Sequence, residues 1–200
     1  MTEIAVPNPD DLILSGPKLS TPTQVNRSVW TGHRKSVGLA GAQVWQASVA
    51  IADIATEAAE RPWRAFLFAL KGPENSFRFP LPGISHIGAK PRVNAATSAG
   101  NTLPLDGMQP DTMILPAGAF MTVPLPSGHA RAVCLTADLR TNATGQATAA
   151  FEPELGEIPA DNAVVETVNP YIPMSPTEPL MGLDTAQGIS GTAFDVEEAL

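Results

Sequence analysis

An alternating pattern marks the stretch Gln43-Val44-Trp45-Gln46-Ala47-Ser48-Val49-Ala50-Ile51. From Trp45 onward, every second residue is apolar: Trp45, Ala47, Val49 and Ile51. Because alternate side chains of a strand point to opposite faces, the four apolar residues from Trp45 to Ile51 share one face of a half-buried strand. Val37 and Leu39 alternate in the same way before the small pair Ala40-Gly41. Residues 34–51 are therefore predicted to form a β-hairpin with its turn at Ala40-Gly41.

The next stretch, Trp63-Arg64-Ala65-Phe66-Leu67-Phe68-Ala69-Leu70-Lys71-Gly72, has a helical period. Trp63, Phe66, Leu67 and Leu70 stand at i, i+3, i+4 and i+7, which puts them on one face. The predicted helix covers residues 58–71, beginning near Ala58 or Ala59 with Pro62 at or close to its first turn, and Gly72 ends it. Burial of the four side chains against the sheet is worth about 1.5–3 kcal/mol each.

Short strand-like runs separated by turns dominate the rest of the chain. Residues 75–79 alternate through Phe77 and Phe79, and Pro80-Leu81-Pro82-Gly83 stops the strand at a predicted module boundary. Residues 84–107 are rich in Gly, Ala and Asn, and further runs follow at residues 112–115, 120–125, 130–136, 146–151 and 163–168. A hairpin loop is predicted at residues 141–145, with a left-handed residue at Asn142 or Gly145.

The two ends of the chain differ in character. Residues 1–32 contain four prolines and predict an extended arm, in which Leu12-Ile13-Leu14 is able to pair as an edge strand. Prolines 170, 173, 176 and 179 predict an extended return segment, and residues 189–196 alternate as a closing strand that rejoins the first sheet. The predicted organisation is an arm (1–32), a β domain with one principal helix (33–83 plus 180–200) and an inserted small β domain with its return segment (84–179).

The composition limits the classes of function. Hydrophobic residues make up 44% of the 200, enough for a real core, and 20 prolines with 16 glycines between short apolar runs favour a mainly β chain with many turns. The net charge of −8 argues against a nucleic-acid-binding surface. The chain has no 18-residue apolar run and no basic-then-apolar leader at Met1, which predicts a protein without membrane insertion that is made and kept in a cytoplasm.

A search for reactive groups predicts no catalytic, cofactor-binding or metal-binding residue. His33, His86 and His129 each lack a second ligand at i+2 to i+5, and Cys134 lies in an apolar run that favours a buried, inert thiol. The adjacent carboxylates Asp10-Asp11 and Glu197-Glu198 are not expected to form a proton-sharing pair, because neighbouring side chains of a strand point apart, and they are interpreted as solvated. No P-loop, dinucleotide fingerprint or nucleophile elbow is present. We therefore expect neither an enzyme nor a cofactor.

Two stretches carry a resemblance to a known family. The first is Gln43-Val44-Trp45-Gln46-Ala47-Ser48-Val49 followed by residues 63–72 and Ser76-Phe77-Arg78-Phe79-Pro80; the second is Leu115-Pro116-Ala117-Gly118-Ala119-Phe120 with residues 130–133, 137–148 and 151–155. They resemble phage minor tail proteins of the distal tail type, over roughly residues 34–200. The resemblance implies a tail-tube-like half-barrel or β-sandwich that carries an inserted small β domain.

The same resemblance implies a structural role at the tail tip of the virion, after synthesis and assembly in the bacterial host cytoplasm. It implies a hexameric ring whose partners are further copies of itself, the tail-tube protein, the tail-tip hub and other minor tail proteins, and the tape-measure protein. DNA would pass through the ring only as cargo, and an acidic lumen would repel its phosphates. Strand 43–51, which has no charge or proline, is the expected edge for pairing between subunits.

Three other readings compete with this one. A tail-tube subunit or another minor tail protein would share the half-barrel, although the insert after Phe79 favours a specialised ring. A carbohydrate-binding module for receptor recognition would need exposed aromatic residues, of which the insert offers Phe120, Phe151 and Tyr171 and no tryptophan. A cell-wall hydrolase would need paired acids or a metal cluster, and the sequence predicts neither.

Overall fold

The chain, seen in a computed structural model that describes residues 1–39, 41–186 and 189–200, is mainly β. Strands hold 42% of the residues and helices 10%, and the sheets curl as half-barrels, so the predicted class of a mainly β protein with one principal helix is confirmed. The strands of the described ranges are β1 (Leu12–Ser20), β2 (Thr23–Arg27), β3 (Arg34–Gly38), β4 (Val44–Ile54), β5 (Phe77–Pro80), β6 (Arg92–Val93), β7 (Thr102–Asp106), β8 (Met113–Leu115), β9 (Phe120–Pro124), β10 (Ala130–Leu135), β11 (Leu139–Arg140), β12 (Ala147–Glu152), β13 (Tyr171–Pro176), β14 (Asp184–Ala186) and β15 (Ile189–Glu198). The helix is α1 (Glu57–Leu70), and single 3-10 turns lie at Pro9–Asp11 and Gly72–Glu74.

Two compact units divide the chain. The first contains Met1–Lys18, Trp45–Leu81 and Tyr171–Leu200, and the second contains Leu19–Val44 and Pro82–Pro170. These bounds differ from the predicted ranges at several places, and the predicted arm (1–32) is divided between the two units after Lys18. Residues 33–44 belong to the second unit, and the predicted return segment after Pro170 enters the first unit as a strand.

The first unit is built on one sheet in the order β1-β4-β15-β13-β5, with β14 paired to β15. The closing strand rejoins this sheet as predicted, with Phe194 opposite Val49 and Val196 opposite Ala47. One face of the sheet is apolar and buried. Its members are Trp45, Val49, Ile51, Phe77, Phe79, Ile172, Met174, Phe194 and Val196.

Helix α1 buries its predicted stripe. Trp63, Phe66, Leu67 and Leu70 are all buried, and the Phe66 ring meets the Phe77 ring of β5 edge to face, with 5.7 Å between centroids. The hydroxyl of Thr56 caps the helix by accepting a hydrogen bond from the backbone of the first turn, so the helix begins at Glu57, one residue before the predicted range.

The two ends of α1 show how its proline and glycine are accommodated. Pro62 is the sixth helical residue and lies at the start of the second turn, close to the first turn as predicted. The helix ends at Leu70, and Lys71 and Gly72 both have left-handed backbone angles. A Cβ at Gly72 would also stand 2.8 Å from Cα of Pro179, so both the backbone angle and the close approach require glycine there.

The predicted hairpin over residues 34–51 is wrong in its pairing. Strand β4 forms as expected, but its neighbours are β1 and β15, so neither of its sides is open to β3. Strand β3 instead pairs with β2, an arrangement in which Val25 lies opposite Ser36. The predicted turn residue Ala40 lies outside the described residues.

The predicted arm over residues 1–32 is also wrong. Leu12-Ile13-Leu14 pairs as an edge strand beside β4, as the sequence allowed, but this strand extends to Ser20. A second strand, β2, follows within the predicted arm. The first residues are held as well, since the backbone amide of Ile4 donates to the carbonyl of Ser76 at 2.7 Å.

The second unit contains a sheet in the order β6-β7-β12-β10-β9 and a two-stranded sheet of β8 and β11. Its core gathers Leu103, Leu105, Ile114, Leu115, Met121, Val123, Val133, Leu135, Phe151 and Val165 among others. Four of the five predicted runs contain strands, whereas residues 163–168 contribute single bridges at Val164 and Glu166. Strand β7 was not predicted.

The loop over residues 141–145 contains the predicted left-handed residue, which is Gly145 at φ 73°. It does not join a simple hairpin, because β11 before it pairs with β8 whereas β12 after it pairs with β7 and β10. A Cβ at Gly145 would stand 2.3 Å from the carbonyl oxygen of Met108, so a close backbone approach fixes this glycine too.

Candidate interaction surfaces

The two ends of the first sheet are unequal. Strand β1 has nine residues and is paired by β4 on one side, and no other strand of the described residues pairs with it. Its first half, Leu12 to Gly16, carries no charge, and the side chain of Ile13 is exposed. Strand β5 has four residues and closes with Pro80. The expected open edge at residues 43–51 is therefore wrong, because β4 is internal to the sheet, and the long edge belongs to β1.

The face of the first sheet that turns away from its apolar side is polar and acidic. The Ser48 hydroxyl donates to Asp195 Oδ1, and Gln46 Nε2 donates to Glu197 Oε2 at 3.2 Å. A groove of about 320 Å³ runs here, and Lys18 of β1 contributes to its wall. The exposed carboxylate of Asp195 and the half-buried carboxylate of Glu197 thus each accept a hydrogen bond from a donor on the neighbouring strand.

Two of the carboxylates expected to be solvated are structural. Glu198 is buried, and its Oε2 accepts a hydrogen bond from the backbone amide of Trp45 at 3.2 Å. Asp11 Oδ2 accepts from the indole Nε1 of Trp63 at 3.3 Å. The prediction was wrong because the closing strand places Glu198 on the buried side of the sheet, in step with Val196.

Strands β2 and β3 and the loop between them form a ribbon, residues 23–38, whose side chains are all exposed. Its tip presents Val29 and Trp30, which are 95% and 96% exposed. The tip is nevertheless ordered by backbone hydrogen bonds, among them Ser28 N to His33 O at 2.9 Å and Gly32 N to Ser28 O at 3.0 Å. Gly32 supplies the positive φ of 69° that this turn requires.

The ribbon is also basic. Arg27 lies directly opposite Arg34 in the antiparallel register, and Lys35 follows on the other face. Among the described residues, five ion pairs engage Arg61, Arg64, Lys71, Arg78 and Lys90, and none engages a cation of the ribbon. Residues 12–52 contain no Asp or Glu at all. This segregation of charge is visible in the sequence, but the net charge of the whole chain conceals it.

Arg131 is a buried cation that the sequence analysis missed. It lies on β10, and its Nη2 donates to the backbone carbonyl of Gln43 at 2.7 Å. The side-chain Oε1 of Gln43 accepts in turn from the backbone amide of Glu154 at 3.4 Å. These bonds hold Gln43 against Arg131 and Glu154 within the second unit. The signal was a single arginine inside the otherwise apolar run from Ala130 to Leu135.

A cleft of about 540 Å³ opens on the second unit and is lined mainly by apolar side chains, including Ile84, Ile87 and Met113. His86 lies in its wall, with Nε2 2.8 Å from the hydroxyl of Thr167. Among the described residues that line the cleft, no aromatic side chain other than this imidazole occurs. It therefore lacks the stacking platform that sugar recognition uses.

The side chains that could take part in catalysis or metal binding do not cluster among the described residues. Burial raises the pKa of the Cys134 thiol, which lowers its thiolate fraction at neutral pH. The thiol is half-buried, less enclosed than predicted. Over the described ranges, no three His, Cys, Asp or Glu residues lie where they could share a metal ion, and no helix has the length and apolarity needed to cross a membrane.

No protein-family model and no curated protein sequence matches the chain.

Proposed function

We propose that this chain is a structural virion protein of the phage distal tail type, which forms a hexameric ring at the tail tip and lines the DNA channel. The proposal retains the resemblance of residues 34–200, with the first unit as the tail-tube-like domain and the second as the inserted domain. The observation that carries it is the edge of β1 with which no other described strand pairs, at one end of a curled sheet; its first five residues, Leu12 to Gly16, lack charge and proline. An edge of this kind invites pairing with another chain.

A ring can form when one edge strand of the sheet in one copy pairs with the other, different edge strand of the sheet in the next copy. When β1 of one copy pairs beside β5 of the next, the contact is heterologous, and each copy extends the curled sheet of its neighbour. Such a contact closes into a ring when the rotation between copies divides a full turn, and the resemblance sets the number at six. The proposed partners above and below the ring are the tail-tube protein and the tail-tip hub.

The polar face of the first sheet fits the channel side of this ring. Asp195 and Glu197 are held by Ser48 and Gln46 and stand on the face opposite the buried one. Repeated around a ring, these carboxylates would make a negative wall that repels DNA phosphates and leaves the cargo free to move. Under this proposal the protein has no catalytic role, and DNA is cargo and not a ligand.

A lysine on the β1 edge tests the proposal. In Ile13→Lys an exposed side chain of the edge strand becomes charged, and we expect the chain to stay folded but to lose assembly. Leu180→Lys makes the same change at an exposed apolar residue outside the strands. Light scattering after gel filtration should give about six times the monomer mass of 20.9 kDa for the parent and for Leu180→Lys. Equal assembly of Ile13→Lys would refute the edge contact.

A further inference from the structure

We infer that the ribbon, residues 23–38, is an intersubunit arm that docks on an acidic surface of a second copy of this chain. The inference deepens the proposed ring and rests on it. In this arrangement the paired guanidinium groups of Arg27 and Arg34 receive carboxylates of the neighbouring copy, and Trp30 at the tip packs against its surface.

The ribbon is exposed along its whole length. An isolated two-stranded hairpin is marginally stable in water, because it buries too little apolar surface to offset the ordering of its backbone. Val25, Val37 and the tip residue Trp30 all face solvent within one chain. The tip is ordered by the Ser28 and Gly32 backbone bonds, so it is a shaped surface that a partner would meet in a prepared form.

The ribbon also places two positive charges opposite each other. Like charges directly opposite each other on two strands destabilise the pairing, and Arg27 and Arg34 occupy such a position with no carboxylate beside them among the described residues. A carboxylate from a partner removes that repulsion and accepts charge-assisted hydrogen bonds from both guanidinium groups. The geometry thus favours an anionic partner.

The distribution of charge along the chain favours another copy as the partner. Because the whole chain carries −8 and residues 12–52 contribute +4, the remaining residues carry −12. A second copy therefore offers the opposite charge over most of its sequence. A nucleic acid fits less well, since the same −12 would repel its phosphates. Exposed tryptophan and arginine together are also the residue types that dominate protein–protein contacts.

Charge reversal on the ribbon separates this inference from the ring itself. Arg27→Glu/Arg34→Glu keeps a like-charged cross-strand pair, so pairing within the ribbon is electrostatically unchanged while the attraction for acids is reversed. The matched control is Arg92→Glu/Arg140→Glu, which makes the same change in net charge at two exposed arginines of the second unit. We expect the ribbon variant to weaken assembly at least tenfold in dissociation constant, and the control to change it less than threefold. Circular dichroism checks that both variants are folded.

A photocrosslinking benzoylphenylalanine at position 30 then identifies what the tip touches. In the full-length chain we expect a crosslink to an acidic segment of a second copy, and loss of that crosslink in the ribbon variant. If the parent assembles and the ribbon variant assembles equally well, the inference is overturned while the ring stands. If the parent is monomeric at all concentrations, both fail. A crosslink only to nucleic acid or to a different protein also overturns it.

Discussion

Phe66→Ala tests whether the stripe of α1 holds the first unit together. The Phe66 side chain is 4% exposed and contacts two aromatic rings edge to face, those of Trp63 and Phe77, each at 5.7 Å between centroids. Truncation of a buried phenylalanine to alanine costs about 3–5 kcal/mol, because transfer energy is lost and a cavity remains. For a chain of this length each kcal/mol shifts the melting temperature by about 2–4 °C, so we expect a fall of roughly 6–20 °C.

The same helix supplies the control. Phe68 lies two residues further on and is 61% exposed, so Phe68→Ala should change the free energy of unfolding by about 0.5 kcal/mol or less. Urea titration followed by far-ultraviolet circular dichroism measures the free energy, and tryptophan emission reports on Trp63 beside the cavity. Equal losses in the two variants, or a Phe66→Ala midpoint that matches the parent, would refute the assigned helix face.

Three further predictions concern acid stability, domain independence and thiol reactivity. The hydrogen bonds from Arg64 and Ser190 lower the pKa of Glu60 below its ordinary 4.5. The ionised Glu60 therefore stabilises the fold above pH 4.5, and this stabilisation is lost as the pH falls through the lowered pKa. The free energies of unfolding of the parent and of Glu60→Gln, measured against pH, should converge in strong acid. Replacement of residues 82–170 by a short Gly-Ser linker should leave a cooperative unfolding transition, because Pro80 and Tyr171 are already paired neighbours, whereas a broad, non-cooperative transition would show a shared core. Cys134 should react with maleimide at pH 7 more slowly than in urea, since burial raises its pKa; equal rates would contradict that protection.

The local elements of the fold are readable from the sequence because their signals are short in range. The stripe from Trp63 to Leu70 and the alternation of Phe77 and Phe79 each need only a few neighbouring residues to define a buried face. Pairing partners are a different matter. Nothing within residues 34–51 reveals that β4 is flanked by β1 and β15, since both neighbours come from distant parts of the chain.

Prolines misled the prediction in one place. Pro173 and Pro176 suggest an extended segment outside the sheet, because proline donates no ladder hydrogen bond. Yet β13 lies between β15 and β5, with Ile172 and Met174 buried on its apolar face. The alternation of those apolar residues was present in the sequence but was outweighed by the proline rule.

The candidate surfaces were predictable in part. The lack of acids over residues 12–52 can be counted in the sequence, but the direct opposition of Arg27 and Arg34 depends on the register of β2 and β3. The burial of Glu198 likewise depends on a long-range contact, the hydrogen bond from the Trp45 amide. The sequence therefore shows which charged residues a segment contains, whereas the positions of those charges relative to one another depend on how the strands pair.

Electron microscopy of the intact particle that contains this chain tests the central claim most directly. The proposed function predicts a closed ring of six copies around a central channel near the tail tip, with the first unit next to the channel and its Asp195 and Glu197 facing the lumen. Three or fewer copies, or a location only on peripheral fibres with no contact to the channel, would contradict the ring and favour a receptor-binding role.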